Sequence, residues 1–324
     1  MSYTPGCIRL LQRGELHRRV SLLREMLGEC GLCMRNCGAD RLGGMRGYCG
    51  AGETLEVSSS CVHTGEEPVL TGDTGVGNIF LGRCSMGCVY CQNHSISQPG
   101  PGKMPGWETT PSITADRLIR FQEIGCPTAG LVSPTHYAPQ VFEAVAAAAE
   151  RGFRLPVIYN TGGYDSPELL RLLDGMVDIY LPDIKYSDPA MALKYSDAPD
   201  YPAAARDAVL EMHRQVGELR TDDRGVAFRG LLVRLLVLPG GISGTEDTLN
   251  ILAREIGTGV HISLMSQYYP AHRAGGFPPL DRRLSPGEYR KAVSVMEELG
   301  FENGWVQDPV TSPDTYLPGV DFSI

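Results

Sequence analysis

Phe80-Leu81-Gly82-Arg83-Cys84-Ser85-Met86-Gly87-Cys88-Val89-Tyr90-Cys91-Gln92-Asn93 is the stretch on which the reading of this chain turns. An apolar run ends at Leu81, and Cys84, Cys88 and Cys91 follow at C-x3-C-x2-C spacing. Three thiolates on one short loop suit three irons of a [4Fe–4S] cubane and leave its fourth iron without a protein ligand. Metal sites do chemistry where a coordination position stays open. The competing reading is a structural zinc site, which wants four ligands and has His94 as the available fourth. The strand-end position and the aromatic Tyr90 before the last cysteine favour the cubane.

Outward from that loop, short apolar runs recur at 78–81, 128–132, 155–159, 177–181, 231–238 and 260–265, separated by helical segments or longer inserts. Segment 113–124 reads as a helix capped by Thr114, and alanine-rich 139–151 stops at Gly152. Ser166 caps another helix, with Pro167 at its first position. Helices are also expected at 202–217 and 286–299, and a strand at 304–306. Strands alternating with helices imply βαβ units and a parallel sheet. Six repeats predict an α/β fold, an incomplete (β/α)6 barrel over 76–308, with function at the carboxyl ends of its strands. Residues 1–75 carry one amphipathic helix at 16–27 and a cysteine-rich, glycine-rich segment, with no strong strand pattern and little core of their own. A proline-rich tail, 309–324, is expected to wrap the surface.

With 42% apolar and 21% charged residues in 324, the composition is that of a globular protein able to bury a sizeable core. A net charge of -9 argues against nucleic-acid binding, which needs clustered Lys and Arg. No apolar run reaches membrane-spanning length, and the first residues do not read as a signal peptide, so a cytoplasmic setting is expected. There, clustered cysteines argue for metal rather than disulfides, and seven of the 10 fall into two groups.

The chain resembles the radical S-adenosylmethionine (SAM) superfamily and, within it, the pyruvate formate-lyase activating enzyme-like family. The marks are Gly65-Glu66-Glu67-Pro68, Cys91-Gln92-Asn93, Ile96-Ser97-Gln98, Ser133-Pro134-Thr135-His136, Tyr159-Asn160-Thr161-Gly162-Gly163-Tyr164, Asp178-Ile179-Tyr180-Leu181-Pro182-Asp183-Ile184-Lys185-Tyr186 and Met265-Ser266-Gln267-Tyr268. The resemblance implies that SAM chelates the open iron through its amino and carboxylate groups. One electron, from a donor such as flavodoxin or ferredoxin, then yields a 5′-deoxyadenosyl radical that takes hydrogen from a substrate. By resemblance that substrate is a glycine of a glycyl radical enzyme. Radical SAM modification of another peptide, protein or small molecule is the alternative. A zinc-stabilised, non-catalytic binding protein is the alternative of another class.

Radical SAM barrels often carry a Gly-Gly-Glu-type turn at the second strand end, where it binds the SAM amino group. This chain departs from that pattern with Ser133 and Thr135, whose hydroxyl or backbone acceptors suit the ammonium, and with His136, a contact, a proton donor or a loop histidine bonded to backbone. Asn160, Thr161 and Gly162 end the third strand and suit a ribose or carboxylate, or make a plain turn. Asp183 and Lys185 lie on one face of the fourth strand end. By resemblance Lys185 meets the SAM carboxylate and Asp183 an ammonium or hydroxyl; a mutual salt bridge is the alternative. Arg234, in an apolar strand, needs a partner: the SAM carboxylate or an internal Asp or Glu. Gln267 and Tyr268 read as substrate-side contacts, and Tyr90 as an adenine contact or a cluster shield.

Cys30, Cys33, Cys37 and Cys49 read C-x2-C-x3-C-x11-C, a closed site for zinc or an auxiliary [4Fe–4S] cluster. Arg35, Arg41 and Arg46 sit among them to tune a cluster, dock the segment on the barrel, or lie in solvent.

Overall fold

The structure is a computed structural model that describes residues 3–98 and 107–308. The expected tail, 309–324, lies outside the described residues.

Among the described residues ten strands form one sheet: β1 (Leu55–His63), β2 (Val76–Leu81), β3 (Trp107–Thr109), β4 (Ala129–Val132), β5 (Val157–Thr161), β6 (Ile179–Pro182), β7 (Arg220–Thr221), β8 (Ala227–Leu236), β9 (His261–Met265) and β10 (Gly304–Val306). Their order is β10-β9-β8-β6-β5-β4-β2-β1-β3, with β7 paired to β8 off this path. From β2 to β10 every neighbour on the path is parallel, so all six expected barrel strands are present and in sequence order. The path is open, ending at β10 on one side and β3 on the other. The chain is therefore an α/β protein built on a parallel, incomplete barrel, the six expected strands extended by β10 as a seventh.

Parallel strands need crossovers of a dozen or more residues, and helices supply them. Pro111–Glu123, Ala138–Glu150, Pro167–Leu173, Tyr201–Val216, Thr245–Glu255 and Pro286–Glu298 return the chain between strands. Their ends follow the sequence cues. Ser166 Oγ accepts from the Leu169 N–H at 3.2 Å with Pro167 in the first turn. Ser285 and Glu288 close a capping box. Gly152, at φ 99°, ends the alanine-rich helix. One cap is corrected: Thr110, not Thr114, starts its helix, accepting from the Ile113 N–H at 3.3 Å. Pro111 fixes the first turn there, two residues earlier than the apolar pattern begins.

The reading of residues 1–75 as strand-free is also corrected. β1 pairs antiparallel with β2, and β3 with β1, widening the sheet beyond the barrel. Glu56, Ser58 and Ser60 are nearly inaccessible in β1, and these buried polar groups break any apolar run. Nor does the amino-terminal part lack a core. Cys7, Leu16, Leu23, Leu27 and Leu32 are buried in the same cluster as Leu131, Val157 and Tyr159 of the barrel. Asp178, wholly buried, pins the chain start by accepting from the Gly6 N–H at 2.7 Å and the Tyr3 hydroxyl at 2.6 Å.

Candidate active site

The carboxyl ends of the parallel strands open into a cavity of about 630 Å³. Cys84, Cys88 and Cys91 line it together with Ser133, Thr135, His136, Asn160, Thr161, Gly162, Asp183, Lys185 and Arg234. Residues drawn from five strand ends thus meet at one place, as the barrel reading requires.

The cysteine loop is fixed by its backbone. Arg83, just before Cys84, takes a left-handed φ of 67° and its N–H donates to the Ile96 carbonyl at 2.7 Å. Ser133, on the adjacent loop, is left-handed too, at φ 56°, and its N–H donates to the Asn160 carbonyl at 2.8 Å. Non-glycine residues in that region concentrate at functional sites. The Gly87 and Val89 N–H groups donate to the carbonyls of Ser196 and Tyr195 at 3.2 and 2.9 Å.

Polar groups surround the sulfurs. Ser196 Oγ donates to Cys88 Sγ at 3.0 Å, the Met86 N–H to Cys84 Sγ at 3.4 Å, and Ser97 Oγ lies 3.2 Å from Cys91 Sγ. Hydrogen bonds to sulfur stabilise thiolate charge and tune a cluster's potential. Burial, reinforced by Cys88, pushes the Cys84 thiol up to about 12 and the Cys91 thiol to about 11. Metal-free, both are protonated thiols whose protons a metal displaces. Among the described residues no three His, Cys, Asp or Glu side chains are grouped closely enough to hold a metal ion. The donor set fits an iron–sulfur cluster by its chemistry: three thiols on one loop, one shared cavity and a polar neighbour at each sulfur. His94, the fourth ligand of the zinc reading, instead stacks on His272 at 4.7 Å.

Lys185 Nζ donates to Asp183 Oδ2 at 2.7 Å. Burial pulls the ammonium's pKa down, but Asp183 overrides it and holds the charge above the ordinary lysine range. Tyr201 sets this strand end: its hydroxyl bridges the carbonyls of Gly162 and Asp183 at 2.9 and 2.8 Å and accepts from the Lys185 N–H at 3.0 Å. A Cβ on Gly162 would meet only ordinary contacts, whereas Gly163 takes φ 74° and would bring one to 2.9 Å from the Asp183 carbonyl. The close-approach glycine is therefore the second of the pair.

Arg234 finds its partners inside the protein. Its guanidinium donates to Glu67 at 2.8 and 2.5 Å and also to Glu66. Glu66 further accepts from Asn78 Nδ2 at 2.7 Å and faces His63 Nδ1 at 3.0 Å. Of the sequence's two options, an internal acid is the one observed.

His136 is 2% exposed, and its Nε2–H donates to the Gly82 carbonyl at 2.7 Å. Burial lowers its pKa to about 4, so the ring is neutral at ordinary pH. Gln267 lines the cavity, while the Tyr268 hydroxyl donates to the Leu280 carbonyl at 2.6 Å. Tyr90 is buried edge-on to Tyr186 and Tyr268, next to the cysteines.

Sequence reasoning missed Asp165. It is 1% exposed and accepts from Thr135 Oγ1 at 2.7 Å, Thr161 Oγ1 at 2.6 Å and the Tyr159 hydroxyl at 2.8 Å. Both threonine hydroxyl protons are thus committed, so toward a ligand these oxygens can only accept. The sequence signal was a lone acid directly before the Ser166-Pro167 cap.

The four amino-terminal cysteines lie outside the cavity lining. Cys30 and Cys33 are buried, Cys49 half-buried and Cys37 exposed. Burial, with Cys49, Cys30 and Cys37 all near enough to add to it, pushes the Cys33 thiol up to about 12. A Cβ on Gly47 would fall 2.4 Å from Cys37 Sγ, so glycine is what lets the chain close around that sulfur.

No family model matches the chain. It is 25% identical over 292 residues to an uncharacterized protein of Methanocaldococcus jannaschii, covering 89% of this chain and 80% of that one. It is 30% identical over 171 residues to a second uncharacterized protein of the same organism, covering 48% of this chain and about half (49%) of the other. Among solved structures it is similar to a radical SAM methyltransferase from Sphaerobacter thermophilus, with a TM-score of 0.46, 14% identity, and coverage of 72% of this chain and 66% of that one. It is likewise similar to HydG, a maturase of the [FeFe]-hydrogenase, with a TM-score of 0.46, 14% identity, and coverage of 68% and 48%. The chain thus spans under two thirds of the length of each of these solved structures.

Proposed function

We propose that this protein is a radical SAM enzyme. The observation that carries the reading is the placement of Cys84, Cys88 and Cys91, three thiols on one strand-end loop facing a cavity of about 630 Å³ at the carboxyl ends of a parallel, incomplete barrel. These three residues would hold a [4Fe–4S] cluster with one open iron. When bound, the cluster supplies the electron that cleaves SAM to methionine and a 5′-deoxyadenosyl radical, which abstracts hydrogen from a substrate.

The chain's own residues supply binding and shielding. Lys185 presents a half-buried cation suited to a carboxylate, with Asp183 keeping it charged. Thr135 and Thr161, their protons held by Asp165, offer acceptors to an ammonium. Met86, Val132, Leu236 and Met265 give the cavity apolar wall that keeps water from a reactive radical. Arg234 is satisfied by Glu66 and Glu67 and braces the wall, so we assign it no direct contact with SAM.

The finer reading, activation of a glycyl radical enzyme with electrons from a flavodoxin or ferredoxin in the cytoplasm, is supported by the sequence resemblance. Among the described residues no helix is long and apolar enough to cross a membrane. For the four-cysteine segment we propose one bound metal, zinc or an auxiliary cluster. The test is direct: anaerobically purified protein should be brown and release 5′-deoxyadenosine with SAM and dithionite. A colourless protein that carries only zinc after anaerobic iron–sulfide reconstitution overturns the reading. A glycyl radical signal on a co-incubated partner tests the finer one.

A further inference from the structure

Tyr186 follows Asp183 and Lys185 off the end of β6 but does not line the cavity, and neither does Ser196, the last residue of helix Pro189–Ser196. Both are buried, Tyr186 at 1% exposure and Ser196 at 0%. Their hydroxyls lie 2.7 Å apart, and Ser196 Oγ donates to Cys88 Sγ at 3.0 Å. A serine hydroxyl has one proton. Ser196 commits it to the sulfur, so the Tyr186 O–H is the donor to Ser196 Oγ. The result is a directed chain from Tyr186 through Ser196 to Cys88.

That chain sets Cys88 apart from its two neighbours. Cys84 Sγ accepts from the Met86 N–H of its own loop at the longer distance of 3.4 Å, and Cys91 Sγ faces Ser97 Oγ in the short helix that follows the loop. Among the described residues, Cys88 is the one of the three whose sulfur is reached by a side chain from a distant element. The parts are well held. The Ser196 carbonyl accepts from the Gly87 N–H at 3.2 Å and the Tyr195 carbonyl from the Val89 N–H at 2.9 Å, so the backbone on both sides of Cys88 is tied to the same helix end. The Tyr186 ring stands edge-on to Tyr90 and Tyr201, with centroids 6.4 and 5.7 Å away. A buried tyrosine hydroxyl needs a partner, and any carbonyl would serve. Here the partner is the side chain whose own proton goes to Cys88.

Reduction adds negative charge to a cluster and its sulfurs, so a donor aimed at a sulfur favours the reduced form. Hydrogen bonds in series polarise one another, so a second hydroxyl behind the first strengthens that effect. We propose that Tyr186 and Ser196 are a hydroxyl relay that raises the reduction potential of the cluster held through Cys88. They act through the sulfur, not on the substrate. The inference rests on the cluster reading above.

The test is a potentiometric titration followed by electron paramagnetic resonance, on anaerobically reconstituted full-length wild type, Ser196→Ala, Tyr186→Phe and the double variant. Ser196→Ala should make one-electron reduction about tenfold less favourable, a potential lower by about 59 mV. Tyr186→Phe keeps the ring and should shift the potential the same way by less, because Ser196 still donates. The double variant should match Ser196→Ala, since without Oγ the tyrosine has nothing to act through. Amide exchange at 87 and 89 should stay unchanged in both single variants, which separates tuning of the sulfur from displacement of its loop. Unchanged potentials on an intact cluster overturn the relay and leave the radical SAM reading standing. Shifts that add in full in the double variant, or that come with faster exchange at 87 and 89, also overturn it. If Ser196→Ala takes up no cluster, Tyr186→Phe decides: a lowered potential supports the relay and an unchanged one overturns it. A wild type that forms no cluster overturns both readings together.

Discussion

Replacing Arg234 with methionine orphans two buried carboxylates at once. The three side chains are 13%, 8% and 6% exposed for Arg234, Glu66 and Glu67, so water can do little to replace the lost guanidinium. Breaking a buried ion pair by removing one partner costs about 3–5 kcal/mol, and two orphaned carboxylates place this case toward the upper end. In urea that is a midpoint shift of roughly 1–2 M. The pH dependence gives the mechanism away. Burial alone would push the Glu66 carboxyl up; Arg234 and, less strongly, His63 override it and hold it well below the usual carboxylate range. In the wild type this pairing stabilises the fold above the unfolded carboxylate pKa, and the contribution fades as pH falls through the folded one. Without Arg234 the burial effect stands alone, the folded pKa rises, and the variant loses stability as pH rises. The gap between the two proteins should therefore be widest at about pH 7.5 and narrow toward about pH 4.5. Adding Glu67→Gln to Arg234→Met should recover part of the loss at neutral pH. A gap below about 1 kcal/mol, or one that does not change with pH, refutes the argument.

Asp165→Asn puts an amide donor where two oxygens now receive three hydroxyl donors; we expect a loss of about 1–3 kcal/mol in urea unfolding and weaker SAM binding by equilibrium dialysis. Lys185→Met should raise the SAM dissociation constant at least about tenfold while the iron content holds, because Nζ hydrogen-bonds Asp183 and ligates nothing. Ser285→Ala removes one half of a capping box far from the cavity, and should cost about 1 kcal/mol with SAM cleavage unchanged.

The barrel was legible because its strands are short, apolar and separated by helices with ordinary punctuation. Ser166-Pro167 and Gly152 mark real helix ends, and all six runs became parallel strands. β1 was not legible because Glu56, Ser58 and Ser60 are buried in it alongside Leu55 and Val57, so no apolar run marks the strand. Glu56 is buried against Arg83, whose Nε donates to it at 2.8 Å, and no local pattern announces a partner 27 positions away. The same holds at the site. Side chains at strand ends could be placed from their strands, and the cavity gathers them. What the sequence left open were the long-range choices: Arg234 taking Glu66 and Glu67 from a distant loop, and Asp165 gathering hydroxyls from β5 and from Thr135 after β4.

The most direct measurement is electron paramagnetic resonance of the dithionite-reduced, anaerobically reconstituted protein, with and without SAM, beside Cys88→Ala. An open iron predicts a cluster signal whose g-values move when SAM is added, and the loss of both signal and shift in the variant. A signal indifferent to SAM, or one that survives unchanged in Cys88→Ala, contradicts it.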